Sequence, residues 1–189
     1  MATISIIGQG NMGQAIASVF AKAGRDVEFV GKDSAQAVTG EIVVLAVPYG
    51  AVAGIITERA EQLAGRVVVD ITNPVDFATF DDLVVPADSS AAAVIQAALP
   101  QSKVIKAFNV NFGATLATGE VGALPTTAVV AGDEDAKATF TEALAGSGIA
   151  VKDAGSLKRA RELEAMGFLQ IGLAAREQVA WTAGFAVAG

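Results

Sequence analysis

Short β-branched runs alternate along this chain with longer, alanine-rich stretches, and this alternation limits the possible folds more than any other feature. Seven such runs are almost wholly apolar and are bounded by Gly, Pro, Asp or Asn; they cover residues 3–7, 27–30, 42–47, 67–71, 104–108, 127–130 and 149–151. Runs of this kind are typical of strands buried on both faces of a parallel sheet. The pattern therefore predicts a doubly wound α/β fold with right-handed crossovers.

The stretches between these runs predict helices, which we place over residues 11–23, 51–64, 90–99, 133–145 and 157–173. Gly24 suits the end of the first helix. Asp88 or Ser89 is expected to cap the third helix at its N-terminus. Only eleven residues, Gly31 to Glu41, separate the second and third strands. The crossover after the second strand is therefore shortened, with room for at most a helical turn near residues 34–38.

A glycine-rich turn lies between the first strand and the first helix and reads Gly8-Gln9-Gly10-Asn11-Met12-Gly13. In this G-x-G-x-x-G pattern the first glycine permits the tight turn, the second lets a pyrophosphate approach the backbone, and the third lets helix and strand pack closely. The free N–H groups at the helix start favour a diphosphate. The turn predicts a Rossmann-type dinucleotide site formed by all six residues.

The end of the second strand decides between NAD and NADP. Dinucleotide sites that prefer NAD usually carry an acidic residue there, which binds the ribose 2′-hydroxyl. The chain has Gly31-Lys32-Asp33-Ser34 instead. Gly31 leaves space, and Lys32 and Ser34 supply a cation and a hydroxyl for a 2′-phosphate, so we predict NADP. Asp33 could bind the ribose directly, which keeps NAD as the alternative.

Other candidate binding residues follow the next strands, because ligands of open α/β sheets lie beyond the carboxyl ends of the strands. Ala46 and Val47 are expected to pack on the adenine or ribose side. Pro48 and Pro74 make rigid turns. Asn73 and Asn109 each offer a donor and an acceptor for a carboxamide or a ring edge. Tyr49 either packs against the cofactor or is simply buried, whereas Asp70 ends a buried strand and is expected to be structural.

The composition narrows the chemistry, because the 189 residues include no His and no Cys. The chain thus lacks an imidazole base, a thiol nucleophile and thiolate metal ligands. A formal net charge of −7 disfavours nucleic acids and anionic membranes as partners. We predict no catalytic side chain and no metal site, and expect the reactive atoms to belong to bound cofactors. We find no signal peptide or membrane span and expect a cytoplasmic protein.

The C-terminal segment is an amphipathic helix followed by an apolar tail, which carries the only Trp of the chain, Trp181. An apolar tail is seldom left in solvent. It docks on its own core, completes an acceptor pocket or crosses to a second subunit. We accordingly divide the chain into an NADP-binding domain, residues 1–155, and a helix and tail, residues 156–189, that form the acceptor pocket, a dimer contact or both.

Several blocks of the sequence resemble the deazaflavin (coenzyme F-420)-dependent NADP oxidoreductases and their dinucleotide-binding relatives. The matching blocks span nearly the whole chain and comprise residues 6–13, 46–48, 69–74, 104–109, 153–157 and 160–164. The most specific are Lys106-Ala107-Phe108-Asn109 and the block from Gly155 to Glu164. Similar blocks occur in the cytosolic domain of six-transmembrane ferric reductases.

The resemblance implies NADP(H) binding and hydride exchange with a flavin-like ring. Carried onto this chain, it assigns the diphosphate to the Gly8–Gly13 turn and the 2′-phosphate to Lys32 and Ser34. Pro48, Asn73 and the segment from Ala107 to Asn109 would line the nicotinamide side.

We therefore predict an NADPH-dependent oxidoreductase that transfers a hydride between NADP(H) and a small acceptor such as a flavin or deazaflavin, and we expect a homodimer. Two alternatives stay open. One is an imine or hydroxyacid reductase, whose long helical second domain exceeds the residues available here after Ser156. The other is a dinucleotide-sensing module that binds NADPH without turnover.

The assignment of the 2′-phosphate predicts that Lys32→Ala weakens NADPH binding about tenfold or more, since one charge-assisted hydrogen bond is removed. The affinity for NADH should stay unchanged. Titration of the variant with both cofactors checks this expectation, and an equal loss for NADH and NADPH would refute the assignment.

Overall fold

The central feature of the fold is a seven-stranded sheet, seen in a computed structural model that describes residues 3–31 and 36–188. Its strands are β1 (Thr3–Ile7), β2 (Asp26–Val30), β3 (Ile42–Leu45), β4 (Val67–Asp70), β5 (Lys103–Lys106), β8 (Thr127–Gly132) and β9 (Ala150–Gly155). The order across the sheet is β2-β1-β3-β4-β5-β8-β9. All neighbours are parallel except β5 and β8. The expectation of a mostly parallel, Rossmann-type α/β fold is confirmed.

Six helices cover the two faces of the sheet in the part of the chain that the structure describes: α1 (Asn11–Lys22), α2 (Tyr49–Leu63), α3 (Ala91–Ala98), α4 (Gly113–Thr118), α5 (Glu134–Ala143) and α6 (Ala160–Ala175). A 3₁₀ turn, Leu157–Arg159, precedes α6. One apolar core joins α1, α4 and α5 to the sheet, and a second joins α2, α3 and α6 to the opposite face. The inner strands are largely buried on both sides, which explains their nearly continuous apolar runs, whereas the edge strands β2 and β9 are partly exposed.

Alternate residues of β3 show this three-layer arrangement. Ile42 and Val44 belong to the core under α1 and α5, whereas Val43 and Leu45 belong to the core under α2 and α3. Since successive side chains of a strand point to opposite faces, a strand between two helical layers needs an apolar residue at every position.

The segment between β5 and β8 differs from the sequence-based expectation. It contains the six-residue helix α4 and a short hairpin of β6 (Glu120–Val121) and β7 (Leu124–Pro125), and β8 then runs antiparallel to β5. Elements this short carry too few residues for a periodic hydrophobic pattern. The capping prediction for α3 was also wrong: Ser90, whose backbone is extended, is the N-cap, and its side chain accepts from the backbone N–H of Ala93 at 3.1 Å.

The shortened crossover after β2 is held by side chains. Its described part, residues 36–41, contains neither helix nor strand. The Arg66 guanidinium donates to the carbonyl oxygens of Val38, Thr39 and Gly40. Gly40 donates its N–H to Ser5 Oγ at 2.7 Å, and a side chain at Gly40 would clash with the Ser5 backbone. The segment therefore packs directly on β1.

Glu28, near the middle of β2, also holds residues 36–41 in place. It accepts from the Ser5 hydroxyl and, at 2.8 Å, from the backbone N–H of Thr39. Burial alone would raise the pKa of Glu28, but the hydrogen bonds from Ser5 and Thr39 outweigh burial and hold the pKa below its usual value of about 4.5.

No helix within residues 3–31 and 36–188 is both long enough and apolar enough to cross a membrane.

The lowered pKa of Glu28 predicts a pH-dependent contribution to stability. The contribution is fully present above a pH of about 4.5 and is lost as the pH falls through the lower pKa of the folded state. Glu28→Gln should therefore lower the free energy of unfolding by about 1 kcal/mol near neutral pH. The difference from the wild type should shrink towards pH ~3. Urea unfolding at several pH values measures it, and a difference independent of pH would contradict the prediction.

Candidate functional site

The Gly8–Gly13 turn joins β1 to α1 at the carboxyl edge of the sheet. Its three glycines differ in whether the fold leaves room for a side chain. Gly8 has a φ of +115°, and a side chain there would clash with the carbonyl oxygen of Ala46 at the end of β3. A side chain at Gly13 would clash with the carbonyl oxygen of Gly8. These two glycines therefore allow the turn to pack closely on β3 and α1.

Gly10 is different, because nothing in the described fold requires a glycine there. Its φ of −73° and ψ of −176° are open to any residue, and a Cβ atom would meet no atom within 4 Å. Gly10 is also the N-cap of α1, and no described side chain caps this helix end. An exposed backbone beside uncapped N–H groups is the arrangement that accommodates a diphosphate.

A cavity of about 590 Å³ lies on the β2 side of this turn. It is lined by residues of β1, β2, α2 and the turn: Ile7, Gly8, Gln9, Val30, Gly31, Val47, Ala51, Gly54, Ile55, Glu58 and Arg59. The structure thus brings four predicted binding residues together here, namely Gly8, Gln9, Gly31 and Val47. Lys32 and Ser34, which we predict to bind the 2′-phosphate, lie outside the described residues.

Arg59 is a residue of this cavity that sequence reasoning missed. It lies in α2 and is only 2% exposed. Its guanidinium donates to the carbonyl oxygens of Gln36 at 2.8 Å and Gly31 at 3.1 Å. Arg59 therefore ties together the two ends of the segment that carries Lys32 and Ser34. No sequence signal could have indicated this, because an arginine in an amphipathic helix normally faces solvent.

A second, larger cavity of about 820 Å³ lies on the β4–β5 side of the turn. Its lining comes from α1, α4, α6, the ends of β4 and β5, and the C-terminal tail: Asn11, Met12, Gln14, Ala15, Ser18, Ile71, Asn73, Phe77, Phe108, Asn109, Asn111, Phe112, Gly113, Ala114, Ala117, Ile171 and Trp181. Asn11, Met12, Asn73 and Asn109 are the predicted binding residues among them. For the apolar tail, the sequence allowed three alternative locations. In the structure, the tail contacts residues of its own chain at this cavity.

The side chains of Asn73 and Asn109 form a pair at this edge. Asn109 Nδ2 donates to Asn73 Oδ1 at 2.9 Å and to the carbonyl oxygen of Leu163 at 2.8 Å, and Asn73 Nδ2 donates to the carbonyl oxygen of Asn109 at 2.8 Å. The pair fits against α6 only because residue 167 is a glycine: a side chain at Gly167 would clash with Asn73. The two amides are therefore fixed in position by α6.

A fully buried ion cluster lies directly behind this pair. Lys106 Nζ is 2.7 Å from Asp70 Oδ2 and 2.8 Å from Glu164 Oε1, and the three side chains are 0%, 0% and 1% exposed. Lys106 also donates to the carbonyl oxygen of Thr72 at 2.5 Å. Glu164 accepts from the N–H groups of Ala91 and Ala92 at the start of α3, where the helix end favours a negative charge. The cluster thus joins β4, β5, α3 and α6.

Phe108 turns the chain out of β5 between Lys106 and Asn109. It has a φ of +61° although it is not a glycine, and it is completely buried. Its ring packs edge-to-face with Phe20 and Phe140, at centroid distances of 6.3 Å and 5.3 Å. This packing holds a backbone conformation that is unfavourable for Phe and that leads the chain towards the cavity.

The remaining predicted residues lie around the two cavities without lining either. Ala46 lies beneath the turn, Pro48 is exposed at the start of α2, and Pro74 and Ala107 are buried. Tyr49 is half-buried as the first residue of α2. Burial raises the pKa of the Tyr49 phenol, and the nearby carboxylates of Glu164 and Asp70 raise it further. Tyr49 is therefore a neutral hydroxyl at neutral pH.

The two cavities, separated by a turn suited to a diphosphate, can hold the two ends of an extended dinucleotide, with space beside one end for a second ring. Within residues 3–31 and 36–188, no three acidic side chains are grouped so that they could hold a metal ion. The site therefore supplies shape, amide groups and backbone N–H donors.

Known proteins resemble this chain in sequence. Residues 27–74 match the model of a family described as NADP oxidoreductase, coenzyme F420-dependent. An F420-dependent NADP reductase of Methanocaldococcus jannaschii is 31% identical over 161 residues, which are 82% of this chain and 72% of that protein. Metalloreductase STEAP3 of Rattus norvegicus is 32% identical over 107 residues, 57% of this chain but only 21% of that protein.

Solved structures share the fold over most or all of this chain. A protein of Arthrobacter sp. FB24, provisionally described as an F420-dependent NADP reductase, is 25% identical, with a TM-score of 0.84 and complete coverage of both chains. An imine reductase of Bacillus cereus shares the fold at 18% identity and a TM-score of 0.67, over 93% of this chain and 62% of that one.

The buried ion cluster predicts a strong effect of Lys106→Met. The substitution leaves Asp70 and Glu164 buried without their counter-charge, which should lower the free energy of unfolding by about 3–5 kcal/mol. Lys103→Met is a matched control, since Lys103 lies on the same strand and pairs with Asp133 and Asp135 but is exposed. The control should unfold at nearly the wild-type urea concentration. Similar midpoints for both variants would contradict the prediction.

Proposed function

The chain belongs to the F420-dependent NADP reductase family and is an NADP-dependent oxidoreductase, and on this premise we propose which ligand each of the two cavities binds. NADP(H) lies across the Gly8–Gly13 turn, with its adenosine part in the 590 Å³ cavity and its nicotinamide in the 820 Å³ cavity. A flavin-like or other small acceptor shares the larger cavity and exchanges a hydride with the nicotinamide.

One observation carries the proposal: Gly10 leaves open space at an uncapped helix start. The fold itself needs glycine at positions 8 and 13 but not at position 10. At the start of a helix such a glycine leaves room for a group to approach the backbone, and the adjoining N–H groups favour an anion. The diphosphate of a dinucleotide has this charge and reach.

The 2′-phosphate is assigned to Lys32 and Ser34. Support comes from Arg59, which bonds to the carbonyl oxygens on both sides of their segment. An arginine that fixes the two ends of a short segment lowers the entropy lost on binding a ligand. In this assignment Arg59 is a positioning residue.

The nicotinamide side is assigned to Asn11, Met12, Asn73 and Asn109. Pro48, Tyr49, Pro74 and Ala107, which follow the ends of β3, β4 and β5, are assigned to the same side of the site. The paired amides of Asn73 and Asn109 are held by α6. They offer a fixed polar edge for the carboxamide or for the acceptor ring. NADPH supplies the hydride, and a flavin-like acceptor takes its proton from solvent, so this site needs no acidic side chain.

We also propose a homodimer and a division of roles in which residues 1–155 bind NADP(H) while residues 156–189 complete the acceptor pocket. The dimer is supported by large apolar side chains that α6 and the tail expose, Leu169 and Val187 among them. The pocket assignment is supported by Trp181 and Ile171, which line the larger cavity from the C-terminal segment.

The role of Gly10 predicts that Gly10→Ala raises the Kd for NADPH at least about tenfold, because the methyl group occupies the place of the diphosphate. Its melting temperature should change by only a few degrees, since the backbone angles suit alanine. Gly50→Ala in α2 is a matched control: a Cβ there also meets no atom within 4 Å, and NADPH binding should be unchanged. Wild-type affinity of Gly10→Ala would refute the assignment of the turn.

The same variants can be assayed for NADPH oxidation with a panel of acceptors: a deazaflavin, flavins, quinones, a ferric chelate, a cyclic imine and a keto acid. Oxidation with a ring acceptor, reduced in Gly10→Ala, supports the proposal. Turnover with only the imine or keto acid would favour the alternative reductase. Tight NADPH binding without turnover on any acceptor would favour a sensing module.

A further inference from the structure

We propose that α2 recognises the base of the dinucleotide: Gly54 leaves the space in which adenine lies, and Glu58 accepts a hydrogen bond from its 6-amino group. This inference rests on the proposed function, since it concerns the adenosine part of NADP(H) in the smaller cavity, of about 590 Å³. It goes further by naming two residues through which this cavity distinguishes one base from another.

The first observation is a glycine in the middle of α2. Gly54 lies between Tyr49 and Leu63, the two ends of the helix, where a glycine is less favourable than an alanine. The described fold requires no glycine there, because the φ of Gly54 is not positive and a Cβ atom would meet no atom within 4 Å. Gly54 lines the smaller cavity. It therefore leaves room for a flat group to lie close to the helix.

The second observation is the apolar surface around Gly54. Ala51 and Ile55 line the cavity from the same helix, and Val30 and Val47 line it from the ends of β2 and β3. Small and branched apolar side chains of this kind suit the faces of an aromatic base. The part of the ligand that fits here is therefore the base and not the sugar or a phosphate.

The third observation is a carboxylate in the wall of this cavity. The polar side chains that line it are Gln9, Glu58 and Arg59. Arg59 bonds to backbone carbonyl oxygens, whereas Glu58 makes no hydrogen bond or ion pair with any residue that the structure describes. The phosphate groups of a dinucleotide repel a carboxylate. Glu58 therefore favours such a ligand only by accepting a hydrogen bond from one of its donors.

The 6-amino group of adenine is the donor that the geometry favours. Residues four apart on a helix lie on one face, about 5–6 Å from each other. The edge of a base that lies over Gly54 thus comes within reach of the Glu58 side chain. The ribose hydroxyls are the other donors of the adenosine part, but the ribose is assigned to the end of β2, at Gly31.

A cofactor analogue without the amino group tests the role of Glu58. Deamino-NADPH carries a carbonyl oxygen at this position of its base, and a carboxylate repels that oxygen. We expect the wild-type protein to bind NADPH at least about tenfold more tightly than deamino-NADPH, which is the effect of one charge-assisted hydrogen bond. Isothermal titration with both cofactors measures the ratio of the two Kd values. Equal Kd values, or tighter binding of deamino-NADPH, would overturn the proposal.

Glu58→Gln should bring this ratio to within about threefold of one, because an amide can accept from an amino group and can equally donate to a carbonyl oxygen. Glu61→Gln is a matched control: it removes the same charge from α2, but Glu61 is exposed and is not among the residues that line the cavity. The control should keep the wild-type ratio. Damage to the fold would weaken both cofactors together, so the ratio reports recognition of the base. An equal change in both variants would contradict the proposal.

Gly54→Leu fills the space proposed for the base and should raise the Kd for 2′,5′-ADP, the adenosine part of NADP(H), at least about tenfold. Its melting temperature should be no lower than that of the wild type, since leucine favours a helix more than glycine does. Ala53→Leu is the control, because Ala53 is exposed on α2 and is not among the cavity residues. Its Kd for 2′,5′-ADP should stay at the wild-type value. Wild-type affinity of Gly54→Leu would refute the role of Gly54.

The inference and the proposed function fail in different ways. If the wild type binds NADPH, and Gly10→Ala weakens this binding, but deamino-NADPH binds equally well, the inference is overturned and the proposed function stands. If the wild type binds neither cofactor, both are overturned. The titration with 2′,5′-ADP requires no hydride transfer, so weaker binding by Gly54→Leu, with the control unchanged, supports the inference whichever acceptor the protein uses.

Discussion

The buried interaction between Lys106, Asp70 and Glu164 is the constraint on which the edge of the sheet beside the larger cavity depends. One ammonium group holds two carboxylates that come from β4 and α6, and Glu164 extends the contact to the start of α3. Since an isolated buried charge is very unfavourable, the four elements must meet in a single register. The carboxyl ends of β4 and β5, and the Asn73–Asn109 pair beyond them, are therefore fixed relative to α6.

The three members of the cluster connect sequence blocks that lie far apart in the chain. Asp70, Lys106 and Glu164 come from three separate blocks on which the resemblance rests, and each block continues into a residue of the site or of its support. Asn73 follows Asp70, Asn109 follows Lys106, and Gly167 lies one helical turn after Glu164. The motif residues thus form one structural unit, in which the buried ion cluster lies beneath the amide groups of the Asn73–Asn109 pair.

The fold was largely predictable, whereas the larger cavity was not. Each inner strand of the main sheet produced a nearly continuous apolar run, because two helical layers bury both of its faces. The turn was visible because its glycines are close together in sequence. By contrast, α4 and the β6–β7 hairpin are too short to show a hydrophobic period in the sequence. The role of Arg59 depends on its burial, which places its guanidinium against the carbonyl oxygens of Gly31 and Gln36.

By itself the sequence determined the α/β architecture, the position of the dinucleotide turn and the absence of imidazole and thiol chemistry, since these depend on local pattern and composition. The tertiary structure decided which distant residues share a cavity. It brought Trp181 against Phe112 and placed Glu164 on Lys106, across separations of more than fifty residues in the chain. The physical reason is that burial and charge pairing are satisfied only in the complete fold, and no local pattern encodes their partners.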